Sequence, residues 1–160
     1  MYKISKPSLI LSISLILIGL LSSIYAFMDD AHAAWTSLVF NNYFFLGISI
    51  FAVFFVALQH VAEAGWSTVI KRVPEAIMTF LPYACGIMIF IVAAAIMHWN
   101  HIYHWLEPGI MTVGSENYDK IIAGKEAYLN PIFFLVRSLI YVVVWIYCAK
   151  RLRDISLQGD

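Results

Sequence analysis

The stretch YFFLGISIFAVFFVALQHVAEAG, residues 43–65, carries no Asp, Glu, Lys or Arg before Glu63 and no proline. A helix rises 1.5 Å per residue, so about 20 such residues cross the roughly 30 Å hydrocarbon layer of a bilayer. Three more runs qualify on the same ground, near Ser8–Phe27, Glu75–Met97 and Pro131–Ala149. The 160 residues are 62% hydrophobic and only 12% charged, too little charge to coat a soluble domain of this length. The expected fold class is therefore an all-α integral membrane protein: four transmembrane helices forming one bundle over residues 1–160. The segment from Trp99 to Asn130 is left as an outer loop.

The charges are distributed unevenly along this pattern. Lys3 and Lys6 precede the first span, Lys71 and Arg72 lie between the second and third, and Lys150, Arg151 and Arg153 follow the fourth. The two remaining connections hold Asp29, Asp30, Glu107, Glu116, Asp119 and Glu126, opposed only by Lys120 and Lys125. Excess Lys and Arg marks the cytoplasmic side, which puts both termini and the second connection there. Ala31-His32-Ala33 imitates a signal cleavage site, but the apolar run before it is too long and two aspartates intervene. The first span is expected to stay uncleaved. A formal net charge of zero argues against nucleic acid as a partner. Cys85 and Cys148 sit in apolar runs and form neither a disulfide framework nor a metal motif.

Prolines punctuate the spans. Pro74 falls in a first helical turn, where its missing N–H is tolerated, and Glu75 complements the positive end of the helix dipole. Pro82 lies within the third span and deprives the Met78 carbonyl of its helical donor, which predicts a kink that Gly86 does not resist. Pro108-Gly109 should stop whatever helix precedes it, and Asn130 should cap a fourth helix opened by Pro131.

Ionisable side chains inside a span cost a few kcal/mol and each one asks for a reason. Gln59, His60 and Glu63 cluster in the second span, with His60 and Glu63 three residues apart on one helical face. Counting back from Lys71 places Glu63 roughly 12 Å inside the cytoplasmic boundary. In the fourth span Arg137 lies about 9 Å below the outer surface and heads a stripe continued by Tyr141 and Trp145. His60, Glu63, Arg137 and Tyr141 are the candidates for a proton path. The structural alternatives are a wet vestibule around Glu63 and a pairing of Arg137 with Glu107 or Glu126.

The segment HWNHIYHW, residues 98–105, holds three of the five histidines. On a helix continued to Leu106, His98, His101, His104 and Asn100 share a polar arc opposite Trp99, Ile102, Tyr103 and Leu106. This suits an outer interface, with Glu107 beside it, and Trp99, Tyr103 and Trp105 suit the interfacial aromatic belt. The spacing of three lacks the HExxH pattern of helical zinc sites, so no metal is expected. His60 and His98 differ in depth by roughly 20–30 Å and cannot share one haem.

The segments GWSTVIKRVPEAIMTFLPY (65–83), IYHW (102–105) and DKIIAGKEAYLNPIFFLVRSLIYVVVW (119–145) resemble one family. They are similar to the N-terminal half of the ActF-type polytopic membrane subunit of bacterial alternative complex III, a quinol:electron-acceptor oxidoreductase. The resemblance covers most of the chain from the second span onward. It implies a multi-pass subunit of the bacterial cytoplasmic (inner) membrane, built from four-helix bundles and belonging to a proton route. Its implied partners are other membrane subunits, including a quinol-binding paralogue, and periplasmic subunits carrying haem c and iron–sulfur clusters. Quinone or menaquinone would belong to the complex, and no cofactor is expected on this chain alone. The family's second bundle has no counterpart in these residues, so a complete active site is not expected. A b-type cytochrome membrane anchor and half of a transporter stand as alternatives.

Overall fold

A computed structural model describes residues 5–158; residues 1–4, with Lys3, and residues 159–160 lie outside the described part. The described residues form helices and no strands. Six α-helices run in order: α1 Lys6–Asp29, α2 Ala31–Val61, α3 Arg72–Met78, α4 Leu81–Ile96, α5 Lys120–Ala123 and α6 Pro131–Gln158. Short 3₁₀ turns lie at Gly65–Val69 and His104–Leu106. Four helical segments are long and apolar enough to cross a membrane: α1, α2, α3 with α4, and α6.

Helix starts follow local chemistry. Ser5 Oγ accepts from the Ser8 amide at the head of α1. Asp30 alone separates α1 from α2, and its carboxylate accepts from the amides of His32 and Ala33 at 2.9 and 3.1 Å. Asn130 caps α6 in the same way through the amides of Ile132 and Phe133, with Pro131 as the first helical residue. The second long helix thus begins at Ala31, twelve residues before the expected start at Tyr43, because the Asp30 cap lets the helix begin in the polar segment.

Pro82 does more than kink the third apolar segment. Helix α3 closes at Met78, the Thr79 and Phe80 amides turn back to Ala76 and Ile77 at 3.2 and 3.1 Å, and α4 restarts at Leu81. Without an N–H on Pro82 the ladder cannot pass through, so the chain closes one helix and opens another.

The described residues divide into two compact units, one ending at Leu38 and the other beginning at Val39. In the first, no residue of α1 is buried; Ala34 and Trp35 are, with Trp35 edge-on to Phe27 at 5.1 Å. In the second, the main helix–helix contact is α4 against α6. Leu46 of α2, Leu81, Ala84 and Cys85 of α4, and Ala149 of α6 form one buried cluster. Ala52 and Val56 of α2 with Met78 of α3 form another. The small side chains let backbones approach, which drives association where lipid is as apolar as the protein. Buried Asn42 donates from Nδ2 to the Ala84 carbonyl at 3.2 Å and ties α2 to α4.

Because Ala149 is buried and Cys148 beside it is exposed, Ala149→Leu should lower stability by about 1–3 kcal/mol through overpacking. Cys148→Leu should be near neutral, and unfolding of both variants in micelles, followed by circular dichroism, compares them.

Candidate functional site

Helix α2 ends at Val61, short of the expected Gly65, and the way it ends builds the site. Glu63 takes a left-handed conformation, φ 47°. Its amide donates to His60 O at 3.3 Å, and the Ala64 amide donates to Gln59 O at 3.2 Å. This is the paired closure usually supplied by glycine. Glu63 is therefore no longer a neighbour of His60 along a continuing helix, as the spacing predicts. It is the residue on which the helix turns over, and it is exposed.

Both side chains nevertheless meet one cavity of about 350 Å³. Gln59, His60, Glu63, Lys71 and Ser156 supply its polar lining, and Phe55, Val56 and Ile155 much of the apolar part. His60 Nδ1 lies 2.9 Å from the Val56 carbonyl, which fixes Nδ1 as the protonated nitrogen and leaves Nε2 to accept or release a proton.

Just behind this lining is a group that sequence reasoning treated only as a dipole partner. Glu75 of α3 is 6% exposed. Its Oε1 accepts a hydrogen bond from the hydroxyl of Ser156, a residue 4% exposed on α6. Its Oε2 accepts from Arg72 at 3.2 Å. The only sequence signal was an acidic residue just past Pro74. Its partner is 81 positions away, and no local pattern pairs the two.

Arg137 sits elsewhere. It precedes Ser156 by nineteen residues on α6, about 28 Å along the axis. Its guanidinium lies over Tyr128 at 3.9 Å and near Phe134 and Phe133 at 5.3 and 5.5 Å. Neither Glu107 nor Glu126 pairs with it, and its Nη1 is buried without a hydrogen-bond partner. Aromatic faces hold the charge instead. Tyr141 is exposed and stacks on Trp145 at 6.2 Å, so the stripe survives as an aromatic pair apart from the arginine. Of the four proton-path candidates, the structure brings His60 and Glu63 together and leaves Arg137 and Tyr141 apart from them.

The histidine segment does not continue as a helix to Leu106. Helix α4 closes at Ile96 with His98 left-handed, φ 58°. The His98 amide donates to Ala95 O at 3.0 Å and the Trp99 amide to Ala94 O at 2.9 Å. Buried Asn100 locks the turn, donating to Ile91 O and accepting from the Ile102 amide, both at 3.4 Å. With these groups paired locally, the helix gains nothing by running on. His98, His101 and His104 are exposed, and His104 Nδ1 lies 3.0 Å from half-buried Glu107. Tyr103 and Trp105 pack edge-on against Phe134 at 5.8 and 5.3 Å, docking the segment onto the start of α6. His98 and Glu126 line a smaller cavity of about 190 Å³.

Gly109, φ 85°, turns the chain where an added Cβ would meet Ser115 at 3.3 Å. Burial pushes the Tyr103 phenol above its usual range, and the Tyr43 phenol adds to the shift. Among the described residues no three His, Cys, Asp or Glu side chains gather as a metal-binding group.

No protein-family model matches the chain, and no curated protein is significantly similar to it.

Two outcomes are expected. Since a left-handed non-glycine residue costs about 1–2 kcal/mol, Glu63→Gly should raise stability by about 1 kcal/mol while Glu63→Ala does not, measured by thermal unfolding in micelles. A raised phenol pKa means that the unfolded state loses its proton first. The contribution of Tyr103 is thus fully present below its ordinary value of 10.0 and lost as pH rises from there through the folded value. Tyr103→Phe should flatten the alkaline limb of a stability–pH profile.

Proposed function

We propose that the chain is a multi-pass membrane subunit of a respiratory quinol-oxidising complex of the alternative complex III type. It is structural and proton-conducting rather than redox-active itself. Both termini face the cytoplasm and the four apolar helices form one bundle in the bacterial inner membrane. The reading draws on the KRVPEA and AYLNPIFFLVR stretches, residues 71–76 and 127–137, and on the four helices long enough to cross a membrane.

The observation that supports proton conduction most directly is the cavity at the α2–α3 connection, where His60 and Glu63 come together. With Lys71 in its lining, that connection faces the cytoplasm by the charge rule, so the cavity is a proton entry from that side. Protons need titratable groups and room for water, and a cavity of about 350 Å³ holds several waters. The histidine segment at the other end, with His98, His101, His104 and Glu107, is the docking face for periplasmic subunits carrying haem c and iron–sulfur clusters. Quinone or menaquinone is held with the quinol-binding paralogue.

Purification of the full chain from native membrane tests the reading. Haem c and iron–sulfur subunits should co-purify, and the chain separated from them should show no Soret band. A clean monomer, or a Soret band that persists after separation, overturns it.

A further inference from the structure

Glu75 is a buried carboxylate that the proton reading of His60 and Glu63 leaves unused. Its side chain is 7% exposed and lies within a segment long and apolar enough to span a membrane. The oxygen Oε1 is held by the Ser156 hydroxyl, and Ser156 itself lines the cavity that His60 and Glu63 share. One hydroxyl group therefore stands between the cavity and the carboxylate. We propose that Glu75 is the inner proton-holding group of this cavity and that the Ser156 hydroxyl is its relay.

The step balances without any redox partner. In one concerted shift Ser156 Oγ–H passes its proton to Oε1 of Glu75 while a water in the cavity gives a proton to Oγ and takes one from the imidazolium of His60, so that neither alkoxide nor hydroxide forms. The outcome is one neutral carboxyl at Glu75 and one neutral His60; the reverse sequence returns the proton. A serine hydroxyl suits this role because it donates and accepts at once.

The charges around Glu75 frame the exchange. Arg72 on the same helix pairs with Oε2, its own side chain 57% exposed. Lys71 and Glu63 are the other charged residues, besides His60, in the cavity lining. From α6 the Ser156 hydroxyl is bonded to the carboxylate. Removing the hydroxyl should therefore slow proton exchange without removing the acid.

This inference deepens the proton-conducting reading, but its test reads a proton on the chain itself and needs no respiratory partner. The full chain is placed in liposomes and followed by infrared pH-difference spectroscopy in H₂O and D₂O. A protonated-carboxyl band should appear on acidification and vanish in Glu75→Gln. Its deuterium exchange should slow severalfold in Ser156→Ala and stay at the wild-type rate in Ser156→Thr. On the unmutated chain, dicyclohexylcarbodiimide, which attacks protonated carboxyls in apolar surroundings, should label Glu75, as located by peptide mass spectrometry. A band unchanged in Glu75→Gln, unaltered exchange in Ser156→Ala, or label absent from Glu75 overturns the proposal. If the label appears and no haem c or iron–sulfur subunit co-purifies, the complex assignment fails and the proton site stands.

Discussion

A helix surrounded by hydrocarbon has no water to satisfy an unpaired N–H or C=O, so its backbone must be closed from within. Much of this structure follows from where those closures fall. Asp30 and Asn130 open helices with their carboxylate and amide oxygens. Glu63 and His98 end helices by turning left-handed. Pro82 forces a closure and a restart inside the third apolar segment. Polar residues that look misplaced in an apolar sequence are, in several cases, the ones that make these ends. This is also why the cavity lies where it does: the turn at Glu63 carries the chain across toward α3 and leaves space beside the end of α6.

The sequence made four helices legible because an apolar run of about 20 residues has few other uses. The caps at Asn130 and Pro131 were legible for the same reason, since their signal is local. Helix ends without glycine were not. Nothing in AEAG or MHWN marks Glu63 or His98 as a residue that reverses handedness, and periodicity alone carries the helix through both. The α2 helix begins at Ala31 rather than Tyr43 because a single aspartate suffices as a joint. At the site, His60 and Glu63 were visible as charges inside an apolar run. The Glu75–Ser156 pair was not, because a contact across 81 residues leaves no mark in the spacing of either partner. Arg137 was visible as a cation, but its aromatic surroundings depend on how Tyr128 folds back over α6.

The second unit holds together on little buried surface. Its cluster pairs large Leu46 and Leu81 with small Ala84, Cys85 and Ala149, and many large apolar side chains remain on the outside. Such an exterior is unsuited to water and suited to lipid, where packing and a few buried hydrogen bonds supply the specificity. The bond from Asn42 to Ala84 and that from Ser156 to Glu75 link different helices in this way.

The length of α2 has a consequence of its own. Thirty-one residues make a rod of about 46 Å, against roughly 30 Å of hydrocarbon. Its first turns, Ala31–Asn42, contain His32, Thr36, Ser37, Asn41 and Asn42 and are the polar part of the helix. A rod longer than the hydrocarbon must tilt or carry a turn or two into the headgroup layer. A change in membrane thickness would then alter that tilt, or how far the polar turns are wetted, making the helix a gauge of bilayer depth.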